Sequence, residues 1–303
     1  MSFSAPSNLA LLLTLAEALA DLEPSTPVFQ PVTPSPHSFA HYELSYTTPT
    51  DPWLQAKLEA IDSTLRARYG MTTNQNAVGV LDLMRLRLAM VRPDREEYAA
   101  SVAKIGILLA YFETHPQAAT NLDSGTRHDL GLMTKISSNE MAAKFSRQLG
   151  LKQIQQILND YHFYDPNHGG GIWVGKHYGQ GDERIGDPVG NNSHAATVRQ
   201  LLRFFLLLEQ RKLVSPAASE TMRQIFASPD IPHDHIKFVK ALAGREVQLI
   251  RKWGTWEDWR HDAAIVTGPG RHYILVALTH HSKGDDYLVS LAQAVDDLMR
   301  EIR

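Results

Sequence analysis

YAASVAKIGILLAYF, residues 98–112, places Ser101 and Lys104 three positions apart at the head of an apolar run. At helical spacing, residues i and i+3 share a face, so hydroxyl and amine would meet. A serine hydroxyl is a weak nucleophile until a base within hydrogen-bond reach takes its proton. A lysine held out of water, or beside a second cation, loses enough basicity to serve. The pair is therefore equipped to form an acyl-enzyme. It equally fits two ordinary residues at a helix N-terminus, so the remaining sequence has to decide.

Two more short patterns follow in order. Ser137-Ser138-Asn139 lies in LMTKISSNEMAAKF, and Lys252-Trp253-Gly254-Thr255 lies in VQLIRKWGTWEDW. Each has a plain structural reading as well. Ser137 or Ser138 can cap the helix that starts near Asn139, and Lys252 can be a solvated strand lysine. Gly254 leans toward a site, because glycine inside a strand marks close approach of backbone or ligand.

Together the three patterns resemble the S-x-x-K, S-D-N and K-T-G triplet of class A β-lactamases and penicillin-binding proteins. The likeness covers roughly residues 52 to 303. It implies an α+β fold, with an antiparallel sheet flanked by helices and an inserted all-α domain. It also implies a serine hydrolase that cleaves an amide or β-lactam bond through acyl-Ser101. In that scheme Lys104 is the general base, Lys252 the second cation, and Ser137 the proton relay to the leaving nitrogen. Asn139 holds Lys104 and the substrate amide, while Gly254, Thr255 and Trp253 face substrate. The backbone N–H groups of Ser101 and Thr255 form the oxyanion hole. A D,D-peptidase or esterase-like biosynthetic hydrolase would use the same parts, and so would a protein that binds a β-lactam or peptidoglycan fragment without turnover.

The departures are specific. Ser138 stands where the family has an acid, and Trp253 where it has Thr or Ser, so that Thr255 or Arg251 holds a substrate carboxylate or none is bound. The deacylating glutamate of class A enzymes, in an E-x-x-L-N setting, has no counterpart string. The Gly-rich stretch 168–192 offers Asp182, Glu183 and Asp187 as acids, with Lys176 and His177 beside them. Glu183 and His177 are the candidates for deacylation, and Asp187 is expected to pair with Arg184. A loop of this length inside a compact domain is usually functional.

Composition narrows the classes. The 303 residues carry 43% hydrophobic residues, a net charge of -3 and no cysteine. That excludes disulfides, thiol catalysis and Cys-ligated metals, and it gives no electrostatic footprint for nucleic acid. No apolar run reaches the length of a stable membrane span. His233-x-His235 and His280-His281 lack zincin spacing, and Gly169-Gly170-Gly171 lacks the Lys-Ser/Thr of a phosphate loop, so neither a metal nor a cofactor is expected. The expected partner is a small-molecule or peptide-like substrate.

The elements follow from periodicity. Helices are predicted over 52–68, 101–113, 127–135, 138–149, 151–161, 194–211, 216–226 and 284–302, and strands over 77–83, 85–91, 246–256, 261–267 and 271–280. Strands from both halves must join one sheet. The domain reading is 1–50 as an N-terminal helix and Pro-rich extension, 51–98 with 227–303 as the sheet domain, and 99–226 as the helical insert. In the extension, Leu9 to Leu15 and Ala18-Leu19-Ala20 have a signal-peptide outline without a basic n-region, since the first basic residue is Lys57. The resemblance favours a periplasmic or secreted setting, and the missing basic residues leave a cytoplasmic one open.

Overall fold

Asp51 caps the first long helix, Pro52–Tyr69, by accepting a bond from Leu54 N at 2.8 Å, and Gly70 ends it in the left-handed region at φ 68°. Both signals were visible in the sequence: an acidic cap, proline in the first turn and glycine beyond the last. The computed structural model describes residues 36–179 and 183–301. The apolar stretch Leu9–Leu15, the Ala18-Leu19-Ala20 outline and nearly all of the Pro-rich run lie outside the described residues.

The main sheet uses β1 (Asn76–Asp82), β2 (Arg87–Val91), β8 (Gln248–Trp256), β9 (Trp259–Gly268) and β10 (Arg271–His280), all antiparallel, in the order β2-β1-β10-β9-β8. Between them in sequence lie short pieces. β3 (Glu97–Tyr98), β6 (Trp173–Val174) and β7 (His194–Ala196) form a three-stranded sheet, and β4 (Tyr164–Asp165) pairs with β5 (Gly170–Gly171).

Alternation along the strands splits the apolar residues between two faces. Val78, Val80, Leu275, Ala277 and Val266 pack with Leu58, Ile61, Leu288 and Leu291 of the terminal helices Pro52–Tyr69 and Gly284–Glu301. Ala77, Leu81, Ile274, Val276 and Ile265 face the other way and join Leu201, Phe205 and the helical middle in one continuous cluster. Burial on both faces is why β1 and β10 read as nearly unbroken hydrophobic runs. The result is a mixed α and β fold, an antiparallel sheet with helices on both faces.

Three of the differences from expectation bear on the site. The helix after Ser101 begins at Lys104, because residues 101–103 form a tighter turn in which Lys104 N bonds to Ser101 O at 3.3 Å. Residues 194–196 are strand; the helix expected from 194 begins at Val198, capped by Thr197. A short helix, Lys237–Ala241, was not anticipated.

Candidate active site

β8 is the edge strand, so alternate N–H groups on its free side have no strand partner. It runs against the turn that carries Ser101. A Cβ on Gly254 would lie 3.0 Å from both Ala99 O and Ser101 N, and 3.1 Å from Val102 Cγ2. Only glycine lets the strand come this close, which answers why a strand needs glycine at this position. The approach sets Thr255 beside the Ser101 amide, at the mouth of a cleft of ≈ 800 Å³ lined by Ser101, Asn139, His177, Tyr178, Thr255 and Trp256.

Below the cleft the polar groups interlock. Lys104 Nζ donates to Ser137 O at 2.6 Å and Asn139 Oδ1 at 2.7 Å, with Ser137 Oγ at 3.3 Å. Three such contacts suit an ammonium; in the neutral amine the two short ones take both hydrogens and a lone pair remains. Burial holds Lys104 down to about 7, so that form is well populated near neutral pH. Lys252, without solvent contact, donates to Ser137 Oγ at 2.8 Å and Trp253 O at 2.7 Å. Burial, then the neighbouring Lys104, holds it well below the ordinary lysine range. Ser137 has φ 63°, an uncommon conformation for a residue with a side chain, and Ser138 caps the next helix by accepting from Met141 N at 3.2 Å. Capping and the hydroxyl bridge thus fall to different serines.

The structure brings Ser101, Lys104, Ser137, Asn139, Lys252, Gly254 and Thr255 together. Trp253 is placed differently: its ring lies 5.1 Å from both Lys237 Nζ and Lys252 Nζ, and Nε1 donates to Lys135 O at 3.3 Å. Trp256, 57% exposed, supplies the aromatic rim instead. Arg251 cannot reach a substrate carboxylate, because it is fully buried in a forked pair with Asp262, Nε at 2.8 Å and Nη2 at 2.7 Å. Asp187 does not pair with Arg184. It accepts from Tyr164 Oη at 2.9 Å and from the loop amides of Val189, Gly190 and Asn192, while Arg184 turns to Asn191. Those amides curl around the carboxylate and satisfy it without a cation. Glu183 is exposed, whereas His177 lines the cleft and its Nδ1 is 2.9 Å from Ser146 Oγ.

Sequence reasoning missed three residues. Lys237, at φ 50°, sends Nζ to Gly254 O at 2.6 Å and Thr255 Oγ1 at 2.7 Å, bracing the strand where it meets the Ser101 turn. Burial pushes it down to about 8. Tyr178 and His194 stack at the loop side of the cleft. Neither Lys237 nor His194 sits in a periodic or motif-like setting, so only the fold reveals them. Among the described residues no group of three or more His, Asp or Glu is placed to hold a metal, and no helix is long and apolar enough to cross a membrane.

The Beta-lactamase enzyme family matches residues 126–301, more than half of the 303. The chain belongs to this family. The match starts downstream of Ser101 and Lys104, whose place in the site rests on the geometry above. Among solved structures, the chain resembles the β-lactamase of Sphaerobacter thermophilus DSM 20745, with a TM-score of 0.63 and 14% identity over 80% of this chain and 96% of that one. It resembles PBP-A with a TM-score of 0.63 and 15% identity, over 84% of this chain and 99% of that one. A PBP-A variant solved as an acyl-enzyme complex with penicillin G gives a TM-score of 0.61 and 15% identity, over 81% and 98%. At such identities the likeness shows the fold alone. By sequence, no curated protein matches the chain.

Proposed function

We propose that this β-lactamase-like hydrolase acts as an active-site serine enzyme, in which Ser101 is acylated by an amide or β-lactam carbonyl. The observation that carries the reading is a buried lysine, Lys104, held near the point of neutrality at the base of the turn bearing Ser101. The Oγ–H proton passes to the Lys104 lone pair as Oγ bonds to the carbonyl carbon. The N–H groups of Ser101 and Thr255 take the developing oxyanion, a contribution usually worth several kcal/mol. The C–N bond then breaks, and the leaving nitrogen takes a proton through Ser137 from the Lys104–Lys252 pair. The product is an ester on Ser101.

Intact-mass measurement with a panel of β-lactams and a fluorophosphonate tests this. Ser101→Ala should carry no adduct, and Lys104→Ala should acylate at least about 10²-fold more slowly, the usual scale of general-base loss. In the parent the acylation rate should climb as pH rises through about 7, where Lys104 gives up its proton. An adduct on Ser101→Ala would end the reading.

The loop favours a second reading for the fate of that ester. Glu183 is exposed and does not line the cleft, and an aromatic side chain, Tyr178, faces Lys104. Slow release, with the ester to Ser101 Oγ persisting as in a penicillin-binding protein, follows from such a loop. Steady turnover, a single stoichiometric burst and silence with a chromogenic lactam separate the alternatives.

A further inference from the structure

Tyr178 ties the Gly-rich stretch to the nucleophile turn. Its Oη donates to Ala100 O at 3.0 Å, one residue before Ser101, and Ala100 is itself held at φ 47°. The ring centroid is 4.5 Å from Lys104 Nζ. The same ring stacks on His194, centroids 4.2 Å apart and planes within 3°. His194 belongs to β7, and its carbonyl accepts Ala99 N at 3.0 Å, so both rings are fastened to the segment that leads into Ser101.

The chemistry of this pair is that of a dry wall. Burial, followed by the nearby Lys104 and Lys176, pushes His194 down to about 3, and its Nδ1 is buried without a hydrogen-bond partner among the described residues. Burial raises the Tyr178 phenol well above its ordinary value. Both rings are therefore neutral, and neither is a base of useful strength near pH 7. The titratable groups that face Lys104 are Tyr178 from the loop, His194 from β7 and Lys252 from β8; Ser137 and Asn139 add neutral bonds. Hydrolysis of an ester on Ser101 needs a water whose oxygen attacks the acyl carbon while a base takes its proton; the ester C–O bond then breaks and Oγ regains a proton. The Tyr178 ring occupies the loop side beside Lys104, and among the described residues no carboxylate lines the cleft.

We propose that Tyr178, backed by His194, is a positioning residue that keeps water from the loop side of Lys104 and Ser101, and so protects an ester on Ser101 from hydrolysis. The ester part rests on the reading of Ser101 given above; the exclusion of water from Lys104 does not. Two variants and two measurements test it. Lysine 13C/15N NMR follows the Lys104 titration in unacylated protein, assigned with Lys104→Met, and intact mass follows decay of the benzylpenicilloyl adduct. Tyr178→Phe keeps the ring and should leave both within about twofold of the parent. Tyr178→Ala should raise the Lys104 midpoint toward the ordinary lysine range and shorten the adduct lifetime by at least about tenfold, a fraction of what a well-placed base adds. If Tyr178→Ala does not fold, Tyr178→Leu opens part of the same space and should move both in the same direction. A Lys104 midpoint that stays at the parent value in the smaller variants overturns the proposal, as does an adduct that decays at the parent rate. A parent that never acylates would strike the Ser101 reading instead, and the titration would still decide this one.

Discussion

Lys252 Nζ, fully buried, lies 2.8 Å from Ser137 Oγ, and the same hydroxyl is 3.3 Å from Lys104 Nζ. One serine thus bridges two buried amines, neither of which has a carboxylate as its hydrogen-bond partner among the described residues. Two ammonium ions so placed would repel and lack solvation, and burial is the leading cause of the lowered affinity for protons in both. The arrangement favours an anionic substrate group that would supply the missing countercharge.

Lys252→Ala should accordingly slow acylation by anionic β-lactams more than by neutral esters, by about tenfold or more in the ratio of kcat/KM values. Second-order acylation rates for a penicillin and for an uncharged ester of similar reactivity give the comparison. Equal losses would assign Lys252 to the Ser137 bond alone.

The approach of β8 to the nucleophile turn gives a second test. In Gly254→Ala the new methyl meets Ala99 O and Ser101 N at 3.0 Å, both backbone atoms that cannot swing aside. Strand and turn have to separate, moving Thr255 N from Ser101 N. Acylation should fall by about 10²-fold, the scale of a lost oxyanion donor. Far-UV circular dichroism should be unchanged, since β8 keeps its pairing with β9 on the other side. Full activity in Gly254→Ala would place the oxyanion elsewhere.

A third expectation concerns pH and the Gly-rich stretch. Glu96 lies among its glycines, where a Cβ on Gly170 would overlap its carboxyl, and Asn192 Nδ2 donates to Oε1 at 3.3 Å. Burial first, then the adjacent Asp187, pushes Glu96 up to about 8. The folded protein therefore holds a proton on Glu96 that the unfolded chain has already released above pH 4.5. Stability from this group is complete below that value and is lost as pH rises to about 8. Glu96→Gln mimics the protonated form at every pH, so its Tm relative to the parent should improve between pH 5 and pH 8. A Tm difference that is flat across this window would show that Glu96 is ionised in the fold.

Much of this was legible beforehand where local chemistry and long-range packing agree. Strands buried on both faces, the Asp51 and Ser138 caps, and Gly70 all announce themselves in composition and spacing. The two lysines and Ser137 were readable as motifs because each combination is short and ordered. What was not legible depends on contacts between distant segments. Lys237 acquires meaning only when β8 passes over it, and Arg251 loses its expected role only when Asp262, diagonal to it across the β8–β9 pair, takes its guanidinium. His194 read as the start of a helix since HAATVRQLL carries helical residues, yet pairing with β3 and β6 draws residues 194–196 into a strand.

The last prediction separates the two deacylation candidates. Glu183 is exposed on the stretch beyond the cleft, and His177 lines the cleft beside Tyr178. A base must reach a water that in turn reaches the ester carbon, so geometry excludes the exposed glutamate before any question of basicity arises. Glu183→Gln should leave the lifetime of a benzylpenicilloyl adduct unchanged. His177→Gln should lengthen it, by at least about tenfold if the imidazole assists whatever hydrolysis remains, which is a modest share of general-base catalysis. Both are read from one intact-mass time course. A longer lifetime in Glu183→Gln, with none in His177→Gln, would mean that the stretch closes over the ester after acylation and brings Glu183 inward.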